Sequence, residues 1–259
     1  MKKLLTLILA ALLLAAFAAP VGAKEWKTVR IATEGAYPPF NYVDKNGDLQ
    51  GFDVDIAEAL CEEMKVHCVL MVQDWDGLIP GLLAKKYDAI IASMSITEER
   101  KQKVDFSEKY YVSPARFVAE KGADIDVSKE GLKGKTVGVQ RATIHENFVR
   151  DNFGDTLTIK SYATQDEANM DLTSGRVDLV IADATVLQGG FLDTPAGKDY
   201  EFVGPSFTDE EWFGEGIGIA VRKEDDELRK MFNKAIKDLR KSGEYQKINA
   251  KYFDFDLYE

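Results

Sequence analysis

Short apolar runs alternate with amphipathic segments along most of the chain. Residues 28–33, 69–72 and 88–92 are short runs rich in apolar residues that predict strands. Between the first two runs, apolar residues recur every four positions and acidic residues fall between them, which predicts an amphipathic helix over 52–64. A second helix is predicted over 78–85. Strands alternating with helices predict an α/β layer with a parallel sheet.

The same order of elements occurs a second time. Residues 136–140 predict a strand like the first one, and residues 172–183 repeat the pattern of 82–93: a helix end, a basic residue, an aspartate and a buried strand. This repetition predicts two similar lobes. A late strand over 216–221 and two helices within 226–252 are expected to return to the first lobe, so the chain would cross between the lobes twice.

The first 23 residues have a different pattern. Two lysines precede a largely apolar run over 4–19, and small residues follow at 21–23. This pattern predicts a secretory signal peptide cleaved after Ala23, and hence an exported protein. The apolar run is short for a membrane anchor, and no later segment is long and apolar enough to cross a bilayer.

Composition adds limits to this picture. The chain is 45% hydrophobic and 30% charged, as is usual for a soluble globular protein. Its net charge is −11, and removal of the two signal-peptide lysines makes it −13, which argues against nucleic-acid binding and mildly favours a cationic partner. The predicted organisation is a signal peptide, 1–23; lobe 1, 24–112 plus 214–259; lobe 2, 116–207; and hinge crossovers, 113–115 and 208–213.

Cys61 and Cys68 are the only cysteines of the chain. In an exported protein they are expected to form one disulfide, which would tie the end of the predicted helix 52–64 to the following strand. Two cysteines with only two histidines, His67 and His145, make a weak case for a metal site. No metal and no cofactor is therefore predicted.

Residues 92–100 predict an anion-binding site. Thr97 is a suitable N-cap for a short helix, and the two glutamates after it suit the positive end of the helix dipole. Arg100 does not suit this end, because it adds a cation where backbone N–H groups already point outward. With the hydroxyls of Ser93 and Ser95 just upstream, the segment is suited to hold an anion. The alternative is a surface arginine paired with a neighbouring glutamate.

Open parallel sheets bind ligands beyond the carboxyl ends of their strands. The polar and aromatic residues at these ends in the two lobes are Glu34, Tyr37, Asp74, Trp75, Ser93, Ser95 and Arg100, then Gln140, Arg141, Thr143, His145 and Asp183. A cleft with one cation committed to a ligand, several acids and two aromatic rings complements a small zwitterion that carries a further positive charge.

Each of these residues also has a purely structural interpretation. Tyr37 and Trp75 would then be ordinary core aromatics, and Glu34 a solvated loop acid. Asp183 would cap the helix that begins near Ala184. His145 is expected to be a helix residue near the rim of the cleft, not a ligand-binding residue.

Several ordered motifs resemble one family over essentially the whole mature chain. They are 37–40 (YPPF), 51–55 (GFDVD), 93–100 (SMSITEER), 137–140 (VGVQ), 195–198 (PAGK) and 213–218 (FGEGIG). The chain resembles the periplasmic substrate-binding proteins of polar amino-acid ABC transporters, and among them the binders of arginine, ornithine, lysine and histidine. The resemblance implies a type II-like two-lobed fold, with a mostly parallel sheet flanked by helices in each lobe and two hinge strands between them.

The resemblance also implies a ligand and a set of roles. Arg100, helped by Ser95 and by backbone N–H groups near Thr143, would bind the ligand α-carboxylate, and Asp183, beside Ser93, would bind the α-ammonium. Glu34 would meet the distal positive group. The implied ligand-binding set is Glu34, Tyr37, Trp75, Ser93, Met94, Ser95, Arg100, Gln140, Thr143 and Asp183. Tyr37 and Trp75 would enclose the aliphatic part of the ligand, and the Cys61–Cys68 pair matches the disulfide of the basic amino-acid binders.

Three positions depart from the family pattern. Glu34 stands where the lysine/arginine/ornithine and histidine binders have aspartate, and Gln140 stands where several members have leucine. Ala92 replaces a serine found in some relatives. The first two differences favour arginine or ornithine as the ligand over lysine or histidine.

The expected activity is therefore periplasmic binding of a basic L-amino acid by a monomer that delivers it to ABC permease subunits, with no nucleic-acid partner and no catalysis. Two alternatives belong to other classes. One is an enzyme on the same scaffold, such as a periplasmic cyclohexadienyl dehydratase. The other is a sensor module that presents the amino acid to a receptor.

Overall fold

The computed structural model describes residues 25–258, so the predicted signal peptide and its cleavage point lie outside the described residues. The strands are β1 Thr28–Thr33, β2 Ala36–Tyr37, β3 Asn41–Val43, β4 Leu49–Gln50, β5 His67–Val72, β6 Ala89–Ile90, β7 Asp105–Phe106, β8 Ala115–Glu120, β9 Thr136–Gln140, β10 Thr158–Tyr162, β11 Leu179–Asp183, β12 Tyr200–Phe207 and β13 Ala220–Val221. The α-helices are α1 Phe52–Met64, α2 Leu78–Leu83, α3 Glu98–Lys101, α4 Ile144–Phe153, α5 Gln165–Thr173, α6 Ala184–Leu187, α7 Glu210–Phe213, α8 Asp226–Ser242 and α9 Glu244–Tyr252. A 3₁₀ turn, Trp75–Gly77, precedes α2, and a π-helical turn, Gln188–Leu192, follows α6.

Two five-stranded sheets form the two lobes. Their strand orders are β5-β1-β6-β13-β7 and β10-β9-β11-β8-β12. In each sheet the first three strands pair in parallel, and the fourth runs antiparallel to both of its neighbours. Four of the five strands therefore share one direction, which confirms the predicted two-lobed α/β fold with mostly parallel sheets. The reversed strand of each sheet, β8 or β13, is the one that the chain reaches after crossing from the other lobe.

The helix α1 has the predicted bounds because its apolar positions recur once per turn. Phe52, Ile56 and Leu60 are fully buried against the first sheet and α8. The disulfide between Cys61 and Cys68 is confirmed, with the two Cα atoms 6.1 Å apart. It ties the last turn of α1 to β5, next to the aromatic core of the first lobe.

Two predicted elements differ from the structure. The late strand is only two residues long, and before it Ile217 makes isolated bridges to Ser95 and Tyr111 instead of continuing the ladder of β13. The predicted crossover over 208–213 contains helix α7. Asp209 caps this helix, since its side chain accepts a hydrogen bond from the backbone N–H of Glu211. The lobe and crossover boundaries themselves remain predictions.

No helix within residues 25–258 combines the length and the apolar character that a membrane span requires.

Candidate functional site: a closed cavity between the lobes

A small cavity lies between the two lobes, where the carboxyl ends of β1, β9 and β11 face one another. Its empty volume is about 290 Å³. The lining residues are Glu34, Tyr37, Trp75, Ser93, Ser95, Arg100, Gln140, Thr143, Ile144, His145 and Asp183. The structure thus brings together nine of the ten residues of the expected ligand-binding set.

Arg100 supplies the positive charge of the cavity. Thr97 caps α3 by accepting a hydrogen bond from the Arg100 backbone N–H, and the guanidinium donates to the backbone oxygen of Ser95 at 2.9 Å. The guanidinium also lies 5.2 Å from the centre of the Trp75 ring. Burial lowers the pKa of Arg100 to about 10, although nearby acids, chiefly Glu99, oppose this. Within residues 25–258 no carboxylate forms an ion pair with this guanidinium, so its remaining donors are available to an anionic group.

Asp183 is the last residue of β11, and it is buried at 5% exposure. Its Oδ2 atom accepts a hydrogen bond of 2.7 Å from the Tyr37 hydroxyl of the other lobe. Burial raises its pKa to about 7, and the contacts with Tyr37 and Arg100 reduce that shift. Asp183 makes no side-chain capping bond to α6, so the alternative role as a helix cap is not realised. A cation beside Asp183 would favour its ionised form.

Glu34 follows β1 and is equally buried, so it is not a solvated loop acid. Its Oε1 atom accepts a hydrogen bond of 2.5 Å from the Gln140 amide nitrogen, which also donates to the backbone oxygen of Ala163. Burial raises the pKa of Glu34 to about 7, while the hydrogen bond from Gln140 opposes the shift. Glu34 and Gln140 come from different lobes, and together they leave two oxygen acceptors, one on each side chain.

The lobes are closed in this structure. The Trp75 ring N–H of the first lobe donates to the backbone oxygen of Ala142 in the second lobe at 3.0 Å. Next to it, the Arg141 guanidinium forms an ion pair of 2.6 Å with Asp76. With the Tyr37–Asp183 and Gln140–Glu34 bonds, these contacts close the cavity from both lobes.

The remaining expected residues differ in how they meet the cavity. Ser93 adopts a left-handed backbone conformation (φ 52°), and its hydroxyl donates to the buried Asp53, which also accepts from Asn41 and Tyr110. Ser95 lines the cavity at 4% exposure.

Thr143 caps α4, since its hydroxyl oxygen accepts from the Glu146 backbone N–H while the hydroxyl donates to the Gln140 backbone oxygen. Met94 does not line the cavity; its side chain is buried in the core of the first lobe with Leu78 and Leu82.

Two lining residues lie outside the expected set, Ile144 and His145. The prediction that His145 lies near the rim of the cleft is wrong, because its side chain is buried at 5% exposure in the cavity wall. Its Nε2 atom lies 3.8 Å from Asp183 Oδ1 and has no hydrogen-bond partner among the described residues. The one signal in the sequence is its place in the first turn of a helix that begins at a cleft-facing cap, Thr143.

Two similar lobes with a small polar cavity closed between them define a two-lobed solute-binding protein. The chain belongs to the family of bacterial extracellular solute-binding proteins, family 3, whose model matches residues 29–255.

Among its relatives is an L-arginine-binding protein of Pseudomonas aeruginosa, 51% identical over 259 residues that cover 100% of this chain and 99% of the relative. The histidine-binding periplasmic protein of Escherichia coli K12 is 45% identical over 233 residues, 90% of each chain. Among solved structures, a Salmonella typhimurium periplasmic binding protein described as having high arginine specificity superposes with a TM-score of 0.81, at 35% identity over 88% of this chain and 99% of that one.

Proposed function

We propose that this protein binds a basic L-amino acid between its closed lobes, with arginine or ornithine favoured and lysine or histidine possible, and delivers it to the permease of an ABC importer. The observation that carries the proposal is the charge pattern of one cavity. The guanidinium of Arg100, which has no ion-pair partner within residues 25–258, and two buried carboxylates, Asp183 and Glu34, line the same cavity. The names of the relatives support the same ligand class.

One end of the cavity suits the α-amino acid group. Arg100 has donors free for a carboxylate, and the guanidinium plane suits bidentate binding of such a group. The backbone N–H groups at the start of α4, after Thr143, supply further donors for an anion. Asp183 keeps its Oδ1 atom for the ammonium, because Tyr37 uses only Oδ2.

The other end suits a guanidinium more than an ammonium. The Gln140 amide nitrogen is already used on Glu34 and Ala163, so the amide oxygen of Gln140 and the second oxygen of Glu34 are left as acceptors. An arginine side chain offers five donors in a fixed plane, whereas lysine or ornithine offers three around one point. Two acceptors on neighbouring side chains therefore match arginine best, and Trp75 and Tyr37 supply the flat walls for its aliphatic part.

Delivery follows from lobe closure. Groups from both lobes reach the same ligand only in the closed form, so the ligand binds the closed form more tightly and shifts the hinge equilibrium toward it. A permease can then recognise the closed shape. We propose that the protein acts as a periplasmic monomer after cleavage behind Ala23, and size-exclusion chromatography with mass spectrometry of the exported protein tests both points.

Binding without chemistry is part of the proposal. Each carboxylate of the cavity is placed to hold a cation, and each is already engaged by a neutral donor, Tyr37 or Gln140. Arginine incubated with the protein should therefore be recovered unchanged when the mixture is followed by NMR. An additional role as a sensor would use the same closed shape, and a pull-down from membranes would separate a permease partner from a receptor.

Calorimetric titration with arginine, ornithine, lysine, histidine and citrulline tests the proposal. Citrulline has the shape of arginine without its charge, so it should bind much more weakly than arginine if Glu34 recognises a cation. Equal binding of citrulline and arginine would dismiss Glu34 in that role. Failure of every basic amino acid to bind would refute the proposed function.

A further inference from the structure

His145 occupies the cavity wall beside the carboxylate that is proposed to hold the ammonium. It is the second residue of α4, directly after Thr143 and Ile144, and it is only 5% exposed. A buried polar nitrogen without a partner is costly, so such an atom is expected to find one in the working state of the protein. Asp183 lies beside it in the cavity wall, with its Oδ1 atom 3.8 Å from Nε2.

That distance is too long for a hydrogen bond between the two side chains, but it fits a third atom bound to both. A nitrogen placed about 2.9 Å from each atom closes a triangle on this 3.8 Å base. The α-ammonium of an amino acid is such a group, since it carries three N–H donors. Asp183 would accept one of them through Oδ1, because its other oxygen is already bonded to Tyr37.

The imidazole is in the right protonation state to accept. Burial, together with the positive charge of Arg100, lowers the pKa of His145 to about 3. Its position in the first turn of α4 also disfavours a positive charge. The side chain is therefore neutral at neutral pH, and a neutral imidazole has one nitrogen that accepts a hydrogen bond.

We propose that His145 is a further ligand-binding residue, whose Nε2 atom accepts a hydrogen bond from the α-ammonium of the bound amino acid, opposite Asp183. This inference rests on the proposed function, because it assumes that an amino acid occupies the cavity. The neutral imidazole of His145 adds no charge to the cavity, so the ammonium contacts one carboxylate, Asp183, and one neutral acceptor. The negative charge at this end of the cavity then stays equal to the positive charge of the ammonium.

A ligand cycle tests the contact. Arginine is compared with 5-guanidinopentanoic acid, which lacks the α-ammonium, and with agmatine, which lacks the α-carboxylate, in the natural protein and in His145→Leu and His145→Gln. His145→Leu should weaken arginine and agmatine roughly ten- to hundredfold, because a hydrogen bond to a charged group is lost. It should leave 5-guanidinopentanoic acid nearly unaffected. His145→Gln should lose less affinity than His145→Leu, since the amide oxygen can accept in place of Nε2.

The alternatives give different patterns. Equal loss for arginine and 5-guanidinopentanoic acid, with agmatine unaffected, would place His145 on the carboxylate and overturn the proposal, as would unchanged arginine binding in His145→Leu. His67→Leu is the matched control: His67 is exposed at the start of β5, outside the cavity, and its replacement should not change any of the three affinities.

A spectroscopic measurement on the natural protein covers the case in which a variant does not fold. The imidazole ¹⁵N spectrum of His145 should show an unprotonated Nε2 whose signal moves when arginine is added. A protonated Nε2 in the complex, or a signal that does not move although arginine binds, would refute the assignment. If no basic amino acid binds the natural protein at all, the proposed function fails, and this outcome is distinct from a failed assignment of His145.

Discussion

Glu34→Gln tests the recognition of charge at the distal end of the cavity. The change removes one negative charge and keeps the size of the side chain. It also keeps an oxygen that can accept the 2.5 Å hydrogen bond from Gln140, so the contact between the lobes is preserved. Any loss of ligand affinity then reports the missing charge and not a broken closure.

The size of the expected effect follows from the burial of Glu34. The carboxylate is 5% exposed, so a guanidinium bound to it is also removed from water. Removal of one partner from a buried ion pair typically costs about 3–5 kcal/mol. At about 1.4 kcal/mol for each tenfold change, arginine should bind roughly 10²- to 4 × 10³-fold more weakly to Glu34→Gln. Citrulline carries no charge and therefore loses no ion pair in Glu34→Gln, so its affinity should change by less than about tenfold.

Isothermal titration calorimetry of both ligands against both proteins gives the four affinities. Glu58→Gln is the matched control, since Glu58 is exposed on α1 and lies outside the cavity. Its replacement should change neither affinity. Equal weakening of arginine and citrulline in Glu34→Gln would mean that the substitution disturbs closure, and unchanged arginine affinity would mean that Glu34 does not meet the ligand. Either result would refute the reasoning.

Three further predictions concern the other charges and the disulfide. Arg100→Ala should weaken arginine by roughly 10²- to 10⁴-fold in calorimetry, because two charged hydrogen bonds to the carboxylate are lost; retained affinity would dismiss this role. Burial raises the pKa of Asp183 and Glu34 to about 7, so a bound cation must displace protons below that pH. Arginine affinity should therefore rise from about pH 5 to about pH 7 and level off above, with proton release detected in buffers of different ionisation enthalpy; a flat profile would contradict this. Joint replacement of Cys61 and Cys68 by alanine should lower the free energy of unfolding by about 2–3 kcal/mol in chemical denaturation and leave arginine affinity unchanged, because the two cysteines are seven positions apart and lie outside the cavity. A large change in affinity would show that the bridge supports the site.

Local patterns were sufficient for the regular elements. The bounds of β1, α1 and β9 were predicted because each has a clear period and a clear end signal. The strand predicted over 88–92 is shorter, since the left-handed conformation of Ser93 turns the chain away from the sheet. The apolar pattern carries no information about that turn, which is stabilised by a hydrogen bond to Asp53, 40 residues away.

The site was predictable where a side chain follows a strand end and not where a helix supplies the wall. Glu34, Gln140 and Asp183 each lie at or just after the last residue of a parallel strand, and such ends meet at one edge of the sheet. His145 lies on a helix whose inward face is decided by the approach of the other lobe. Met94 was expected in the set because it lies inside the motif 93–100, but its side chain packs in the core of the first lobe, while Ser93 and Ser95 on either side of it line the cavity.

In the proposed function, selectivity for a cation and closure of the lobes depend on the same two carboxylates. Asp183 and Glu34 each use one oxygen to accept a hydrogen bond from the opposite lobe, from Tyr37 and Gln140, and leave the other oxygen for a ligand. Burial alone favours the protonated form of both, and a protonated carboxyl is a weaker acceptor than a carboxylate. A cationic ligand restores the charge, so it strengthens the bonds that hold the lobes together as well as its own contacts. By linkage, closure raises the affinity for the cation to the same extent. A neutral ligand leaves Glu34 either protonated or buried without a partner, and it therefore closes the lobes less well even where it fits the cavity.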